Sequence, residues 1–139
     1  MSKLDYFLLC ESVLVDKADR ISLINLFEVL HVAALPGTYN KFVFTFRIIP
    51  DAKLLALKKA TFTLTIDGPD GKQYFKAEGA ADIASHAKKT GKSKIASSLD
   101  ISGFPITQTG THIAKLFLNG EKLGDRTFEV VLQDNKKEQ

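Results

Sequence analysis

Apolar residues at the start of the chain form two long runs, and a short polar break separates them. The runs occupy residues 4–15 and 21–35, and the break is the charged segment at residues 16–20. Both runs are rich in Val, Ile, Leu and Phe and contain neither Gly nor Pro, which is typical of strands. The pattern predicts a strand, a short turn and a second strand, and we expect the rest of the chain to be organised around this pair.

The second run changes sides partway along its length. Its apolar positions have odd numbers at first and even numbers later: Ile21 and Leu23, then Leu26, Leu30 and Val32. A bulge near Asn25 explains the change, because one extra residue exchanges the two faces of a strand and Asn tolerates a left-handed backbone. A helix over residues 23–30 also fits the spacing and remains the alternative.

Residues 41–50 show one of the cleanest alternations in the chain. The even positions hold three phenylalanines and an isoleucine: Phe42, Phe44, Phe46 and Ile48. This alternation predicts a half-buried strand with an aromatic inner face. A platform that stacks bases or sugars needs basic residues on the same face, and this face has none, so we interpret the phenylalanines as core.

The middle of the chain predicts a short helix, a strand and a tight turn. The helix is expected within residues 52–59, and the strand at residues 60–66 places Phe62, Leu64 and Ile66 inside. The turn at residues 67–71 combines Asp, Gly and Pro. Asp67 and Asp70 also suggest a calcium site, but a calcium loop has further oxygen ligands and a closing Glu, so we favour a simple turn.

Further strands are predicted at residues 73–83 and 95–106, and a hairpin is predicted at residues 110–132. Gly103 and Pro105 interrupt the second of these strands, which favours an edge or a corner of a sheet. The dipeptide Asn119–Gly120 between alternating segments indicates the turn of the hairpin.

One strand of this hairpin has apolar residues on both faces. Leu116 and Leu118 are expected to point inward, which leaves Ile113 and Phe117 outward with Lys115 between them. Exposed apolar pairs on a sheet favour association. Ile113, Lys115 and Phe117 are therefore a candidate interface.

Residues 85–94 are the most basic and least apolar stretch. They include four lysines that form a candidate anion-binding loop: Lys88, Lys89, Lys92 and Lys94. The tetrapeptide at residues 90–93 resembles the end of a phosphate-binding loop but lacks the earlier glycine, so a solvated loop is favoured. Because the net charge is only +3, nucleic acid is not the expected partner, and binding of polyanions is kept as an alternative.

Composition predicts a single domain over residues 1–139, with a charged tail from residue 134 that is expected to fray. The single cysteine, Cys10, excludes an intramolecular disulfide and is expected to be buried. The apolar segment at residues 6–10 is shorter than the roughly 7 to 15 residues of a signal peptide core. No stretch reaches the ~18 apolar residues of a membrane span. We therefore expect a cytoplasmic protein without a membrane partner.

The residues do not favour an enzyme. His31, His86 and His112 lie on separate predicted elements, and no HExxH, GxSxG or CxxC motif accompanies them. We predict no catalytic residue, no cofactor and no metal site, and a small hydrolase is the least favoured alternative.

Two segments carry a family resemblance. Residues 21–36, ISLINLFEVLHVAALP, and the hairpin at residues 110–132 resemble a bacterial family of uncharacterised β-sandwich domains. Asn25 stands where that family usually has Gly, and His112 stands where it usually has Tyr. The resemblance implies a β-sandwich but no activity, so no functional residue can be transferred.

The prediction is thus an all-β, immunoglobulin-like antiparallel β-sandwich of about seven to nine strands, with at most one short helix near residues 52–59. We expect it to act as a protein-interaction module that binds a second copy of itself, as a homodimer, or another protein.

Overall fold

A computed structural model describes residues 2–18, 20–82 and 94–133 of the chain. Within these residues the protein has nine strands and one helical turn, arranged as a four-stranded sheet packed on a five-stranded sheet. The predicted all-β sandwich is confirmed, and the number of strands lies within the predicted range.

The first sheet has four strands, and all of its neighbours are antiparallel. In spatial order the strands are β2 (Ile21–Leu26), β1 (Lys3–Val15), β4 (Gly37–Ile49) and β7 (Ile95–Ile106). The predicted opening hairpin is therefore the β1–β2 pair, and β2 lies at one edge of this sheet.

The second sheet has five strands. In spatial order they are β3 (Val29–Val32), β9 (Glu121–Leu132), β8 (Gly110–Leu118), β5 (Lys59–Asp67) and β6 (Gln73–Asp82). The predicted antiparallel arrangement holds between β9, β8, β5 and β6, whereas β3 pairs with β9 in parallel. Only Phe27 and Glu28 separate β2 from β3. This two-residue connection moves the chain from one sheet to the other without reversing its direction.

The irregularity predicted near Asn25 lies at that residue, which has a φ of 53°. The register between β1 and β2 nevertheless stays constant from Val15 opposite Ile21 to Cys10 opposite Leu26. The exchange of faces arises because the chain changes sheets after Leu26, so that residues 30 and 32 face the core from the second sheet. The alternative helix over residues 23–30 is wrong, because these residues lie in two strands.

The core lies between the two sheets and is strongly aromatic. Phe42, Phe44, Phe46 and Ile48 are fully buried, as the alternation predicted. Their rings meet those of the second sheet: the ring centroids are 4.8 Å apart for Phe46 and Phe62, and 6.2 Å apart for Phe44 and Phe128. Each fully buried side chain of this size contributes roughly 1.5–3 kcal/mol to stability, so these contacts are the main attraction between the sheets.

The predicted helix is a single turn, α1 (Ala52–Leu55). Asp51 caps it, because its carboxylate accepts a hydrogen bond from the Leu54 amide at 2.8 Å. Leu54 is buried and anchors the turn at the end of the sandwich opposite to the β1–β2 turn.

Candidate interaction surface

The outer face of the five-stranded sheet carries the interface predicted on β8. Ile113, Lys115 and Phe117 point away from the core and are half-buried, whereas Leu116 and Leu118 point inward and are buried. Lys115 Nζ lies 2.8 Å from Asp67 Oδ2, and this hydrogen bond raises the pKa of the lysine. The apolar stripe is therefore interrupted at its centre by an ion pair.

Polar residues surround this stripe. Thr63 lies beside Phe117 and Thr65 lies beside Lys115 on the neighbouring strand. Farther out, two more ion pairs of the same sheet, Lys122–Asp125 and Lys76–Glu78, add charges of both signs. A face of mixed charge with two half-buried apolar residues offers little continuous apolar area, and the role predicted for residues 113–117 stays a prediction.

The outer face of the four-stranded sheet is more apolar. Cys10 lies opposite Val43, and Leu8 lies opposite Thr45, on the side of the sheet that points away from the core. Cys10, Val43 and Thr45 are nevertheless buried. Burial, assisted by the carboxylate of Asp100, raises the pKa of the Cys10 thiol. The thiol is therefore kept protonated, which makes it a packing group and a poor nucleophile.

The hairpin of β1 and β2 separates from the rest of this sheet near its turn. Strand β1 pairs with β4 only as far as Cys10, whereas β4 continues to pair with β7 as far as Gly37, so residues 11–26 form a two-stranded arm, which we call the edge hairpin. Its apolar side chains are among the most exposed in the described part of the chain: Val15 is 60% exposed, Leu14 58%, Leu26 57% and Ile21 36%. Apolar side chains on an unpaired strand edge mark a surface suited to association.

The edge hairpin has a defined shape. The carboxylate of Asp16 accepts hydrogen bonds from the Ala18 amide at 2.8 Å and the Arg20 amide at 2.9 Å, and also from the Arg20 side chain at 2.6 Å. These bonds, with the Arg20 amide first, lower the pKa of Asp16. Near the other end, Asn25 Nδ2 donates to Glu11 Oε2 at 2.6 Å. The strand edge is thus held in place by bonds within the hairpin itself.

The other sheet edges in the described ranges differ from β2 in composition. Strand β2 reads ISLINL and contains no charge, no Pro and no Gly. Strand β6 carries Lys76, Glu78 and Asp82, and β7 carries Asp100, Gly103 and Pro105. Strand β3 has only four residues. Charges, Pro and short length are the usual means by which proteins keep edges from pairing, and β2 has none of these protections.

Of the predicted anion-binding loop, only Lys94 lies within the described residues; Lys88, Lys89 and Lys92 lie outside them. Lys94 Nζ is 3.3 Å from Asp5 Oδ2, and Arg47 Nη2 contacts the same oxygen at 2.6 Å. The Arg47 guanidinium also lies 5.1 Å above the ring of Tyr6. Arg47 first, and then Lys94, lower the pKa of Asp5.

A cleft of about 270 Å³ opens at the α1 end of the sandwich. Its main polar groups already bind backbone: Asp51 caps α1, and Asn119 Oδ1 accepts the Thr61 amide at 2.9 Å. The sequence did not predict this cleft, because its walls come from three distant segments. They are Ser2, Asp51, Lys53, Leu54, Leu57, Leu118, Asn119, Glu121 and Leu123.

The two histidines within the described residues, His31 and His112, do not form a site. His31 is exposed on β3, His86 lies outside the described residues, and His112 is buried on β8. His112 Nδ1 lies 3.0 Å from the carbonyl oxygen of Gly110, and its ring stacks on Phe128 with centroids 5.2 Å apart. Burial lowers the pKa of His112, so the ring is a neutral part of the core.

Within residues 2–18, 20–82 and 94–133, no group of three or more His, Cys, Asp or Glu side chains is placed to hold a metal ion. No helix in the same ranges is long and apolar enough to cross a membrane.

Two packed sheets with an aromatic core, in which the chain changes sheet between β2 and β3, define an immunoglobulin-like β-sandwich. The model of a family of unknown function, DUF6941, matches residues 5–131. The chain belongs to this family, which confirms the resemblance to a family of uncharacterised domains. No curated protein matches the sequence.

Solved structures share this fold at low identity. An alkylpurine DNA glycosylase, AlkC, from Pseudomonas fluorescens, bound to DNA containing an abasic site analogue, is 14% identical with a TM-score of 0.53. The match covers 93% of this chain but only 30% of the glycosylase chain. An immunoglobulin-like protein from Pseudomonas aeruginosa is 14% identical with a TM-score of 0.44, covering 94% of this chain and 97% of that one. The likeness concerns the fold alone.

Proposed function

We propose that the protein is a non-enzymatic interaction module that binds a protein partner through the edge hairpin. The observation that carries the proposal is the uncharged edge strand β2, which has exposed apolar side chains around it and, within the described residues, a neighbouring strand on one side only. We also propose the cytoplasm as its compartment and, from the resemblance to a bacterial family, bacteria as its source.

The size of the apolar contribution indicates how such a partner binds. Leu14, Val15 and Leu26 each keep more than half of their surface exposed. Complete burial of a side chain of this kind is worth roughly 1.5–3 kcal/mol, so each of the three retains roughly 1 kcal/mol to gain. The sum, roughly 3–4 kcal/mol, is at the low end of the entropic cost of association, which is about 4–15 kcal/mol. Side chains alone are therefore insufficient, and a partner must also use the backbone of the edge.

Site-specific photo-crosslinking tests this proposal. A photoreactive residue is placed at position 14 or position 26 in the full chain, expressed in its source cell, and the control carries it at position 55. Leu55 is 43% exposed on α1, at the other end of the sandwich. We expect one adduct of defined mass from positions 14 and 26 but not from position 55. Equal labelling at all three positions, or no adduct at positions 14 and 26, would contradict the proposal.

A second candidate function is the binding of polyanions near Lys94. It is favoured by the convergence of Lys94 and Arg47 on the single carboxylate of Asp5, which leaves an excess of one positive charge where the basic segment at residues 85–94 rejoins the sheet. Binding of a DNA duplex should then weaken steeply as salt rises. Lys94→Glu should reduce both the affinity and the salt slope, and Lys53→Glu, on α1, is the control. Affinity that does not depend on salt would exclude this function.

A further inference from the structure

We infer that the partner of the edge hairpin is a second copy of this chain, with β2 of one copy paired antiparallel to β2 of the other across a two-fold axis. The inference rests on the proposed function. The two four-stranded sheets would then join into one sheet of eight strands.

The backbone of β2 has one side that can accept another strand. Its only neighbour among the described strands is β1, so the amides and carbonyls on its other side have no ladder partner in that part of the chain. The register with β1 is constant from Ile21 to Leu26, a length of about 20 Å, and the left-handed backbone of Asn25, with a φ of 53°, interrupts the extended conformation only at that residue. An added strand would supply the backbone hydrogen bonds that the side chains alone do not provide.

The composition of β2 favours a copy of itself over another strand. Two-fold pairing places the strand against its own sequence, so any charge on it would meet or approach the same charge. Because β2 has no charge, this repulsion does not arise. A two-fold axis perpendicular to the sheet pairs residues of the same parity, so either Leu23 or Ile24 meets itself at the centre. In both registers an apolar side chain meets its own copy at the centre.

The Ile24 register aligns more apolar side chains than the Leu23 register. It places Ile21 of one copy opposite Phe27 of the other, and the Phe27 amide still donates to the Leu9 carbonyl of β1 at 3.1 Å, so Phe27 continues the line of β2. The Leu23 register instead places Ile21 opposite Asn25, and Arg20 opposite Leu26. We therefore assign the axis to Ile24.

A dimer interface of ordinary size would use both faces of the edge hairpin. A stable interface buries roughly 800 Å² of each partner, which is about a tenth of the 8462 Å² surface of this chain. The edge hairpin contributes side chains to both faces of the joined sheet: Leu14, Ile24 and Leu26 to the outer face, and Val15, Ile21 and Leu23 to the inner one. The contact is therefore a ladder with an apolar cluster above and below it.

Charge reversal at the centre tests the inference with the full purified chain. We expect the native chain to form dimers in sedimentation as its concentration rises, and Ile24→Lys and Ile24→Glu each to weaken dimerisation at least tenfold. An equimolar mixture of the two variants should restore dimers, because the introduced lysine of one copy then meets the introduced glutamate of the other across the axis. Leu55→Lys, a matched charge at the other end of the molecule, should leave the dimer unchanged. Circular dichroism and a melting curve confirm that each variant is folded.

A disulfide identifies the pairing directly. In a Cys10→Ser background, Ile24→Cys should oxidise to a covalent dimer because the axis brings the two Cα atoms near the roughly 5.5 Å that a disulfide requires. Leu55→Cys should not do so.

Two results would overturn the inference. The first is a native chain that stays monomeric while positions 14 and 26 cross-link to a different protein, in which case the proposed function stands. The second is a dimer that Ile24→Lys leaves unchanged. If the chain is monomeric and positions 14 and 26 form no adduct in cells, the proposed function fails as well.

Discussion

Two neighbouring residues on β8 provide a sharp test of which surfaces of the sandwich are buried. Leu116 is fully buried between the sheets, whereas Phe117, the next residue, lies half-buried on the outer face. We compare Leu116→Ala with Phe117→Ala. A Leu→Ala change in a packed core costs about 2–5 kcal/mol, because the lost contacts leave a cavity. Phe117→Ala removes a larger side chain but opens no cavity, and we expect a cost of roughly 1 kcal/mol.

The unfolding entropy converts these values into melting temperatures. A chain of 139 residues has an unfolding entropy of roughly 0.3 kcal/mol/K. A loss of about 3.5 kcal/mol then lowers Tm by roughly 12 °C for Leu116→Ala, and a loss of about 1 kcal/mol lowers it by roughly 3 °C for Phe117→Ala. Calorimetry and urea unfolding at low protein concentration measure both changes.

The concentration dependence of the Phe117 result separates two interpretations. A cost that is small and independent of concentration means that the outer face of the five-stranded sheet is open to solvent. A cost that grows with protein concentration means that a second copy covers residues 113–117, as the sequence suggested, and argues against the β2 edge as the interface. Equal costs for Leu116→Ala and Phe117→Ala in the monomer would refute the assignment of faces on β8.

Three further predictions concern single positions. Burial lowers the pKa of His112 below the value of about 6.5 that it has in the unfolded chain. Between these two pKa values the unfolded state binds a proton that the folded state does not bind. The free energy of unfolding should therefore decrease as the pH falls from about 6.5 to the lowered pKa. His112→Phe should flatten this part of the stability curve in urea titrations; an unchanged slope would mean that other groups cause it. Asn25 has a φ of 53°, which a β-branched residue rarely adopts. Asn25→Val should therefore lower the free energy of unfolding by about 1–3 kcal/mol, and Asn25→Gly by much less. Equal losses in urea unfolding would mean that the backbone conformation is not the cause. Cys10 is completely buried, and its pKa is raised. An aromatic disulfide reagent should therefore label the native chain far more slowly than the chain in urea. Labelling of the native chain at the rate of a free thiol would contradict the burial of Cys10.

Local alternation identifies the inner faces of the strands because it depends only on neighbouring residues. The pattern of Phe42, Phe44 and Phe46 places these rings in the core, and the structure buries all three. The same reasoning gives the inward direction of Leu116 and Leu118. Here the physical rule, that successive side chains point to opposite sides, leaves no choice once a strand is assumed.

The sequence is less informative where the outcome depends on distant segments. The change of parity after Leu23 suggested an inserted residue, but the chain instead moves to the other sheet after Leu26. The alternation of residues 41–50 also predicted burial of only one face, whereas Val43 and Thr45 on the other face are buried as well. Neither result follows from the local pattern, because each depends on parts of the molecule outside the strand. The same holds for the cleft at α1, whose walls are far apart in the chain.

The sequence does not show that β2 lies at an edge, because that depends on the order of the strands in the sheet. The composition of β2 is nevertheless unusual for an edge strand. The segment ISLINL lacks any charge, whereas the edge strands β6 and β7 carry charges or Pro. A strand enclosed on both sides does not need such protection, so an uncharged strand is by itself ambiguous. Once the fold shows that β2 is an edge, the absence of charge becomes informative, because it removes the usual barrier to pairing.

The two candidate interfaces differ in what a partner would have to displace. On the outer face of β8, a partner must cover the Lys115–Asp67 ion pair, whose side chains already keep only 32% and 14% of their surface exposed, and must compensate for its remaining hydration. On β2, a partner displaces water from backbone groups that have no ladder partner among the described strands and replaces it with hydrogen bonds, while Leu14, Val15 and Leu26 lose apolar surface. The second exchange leaves no charge desolvated. On this comparison the edge hairpin is the stronger binding surface, and the central position of Ile24 in β2 makes it the residue at which a single charge should have the largest effect on association.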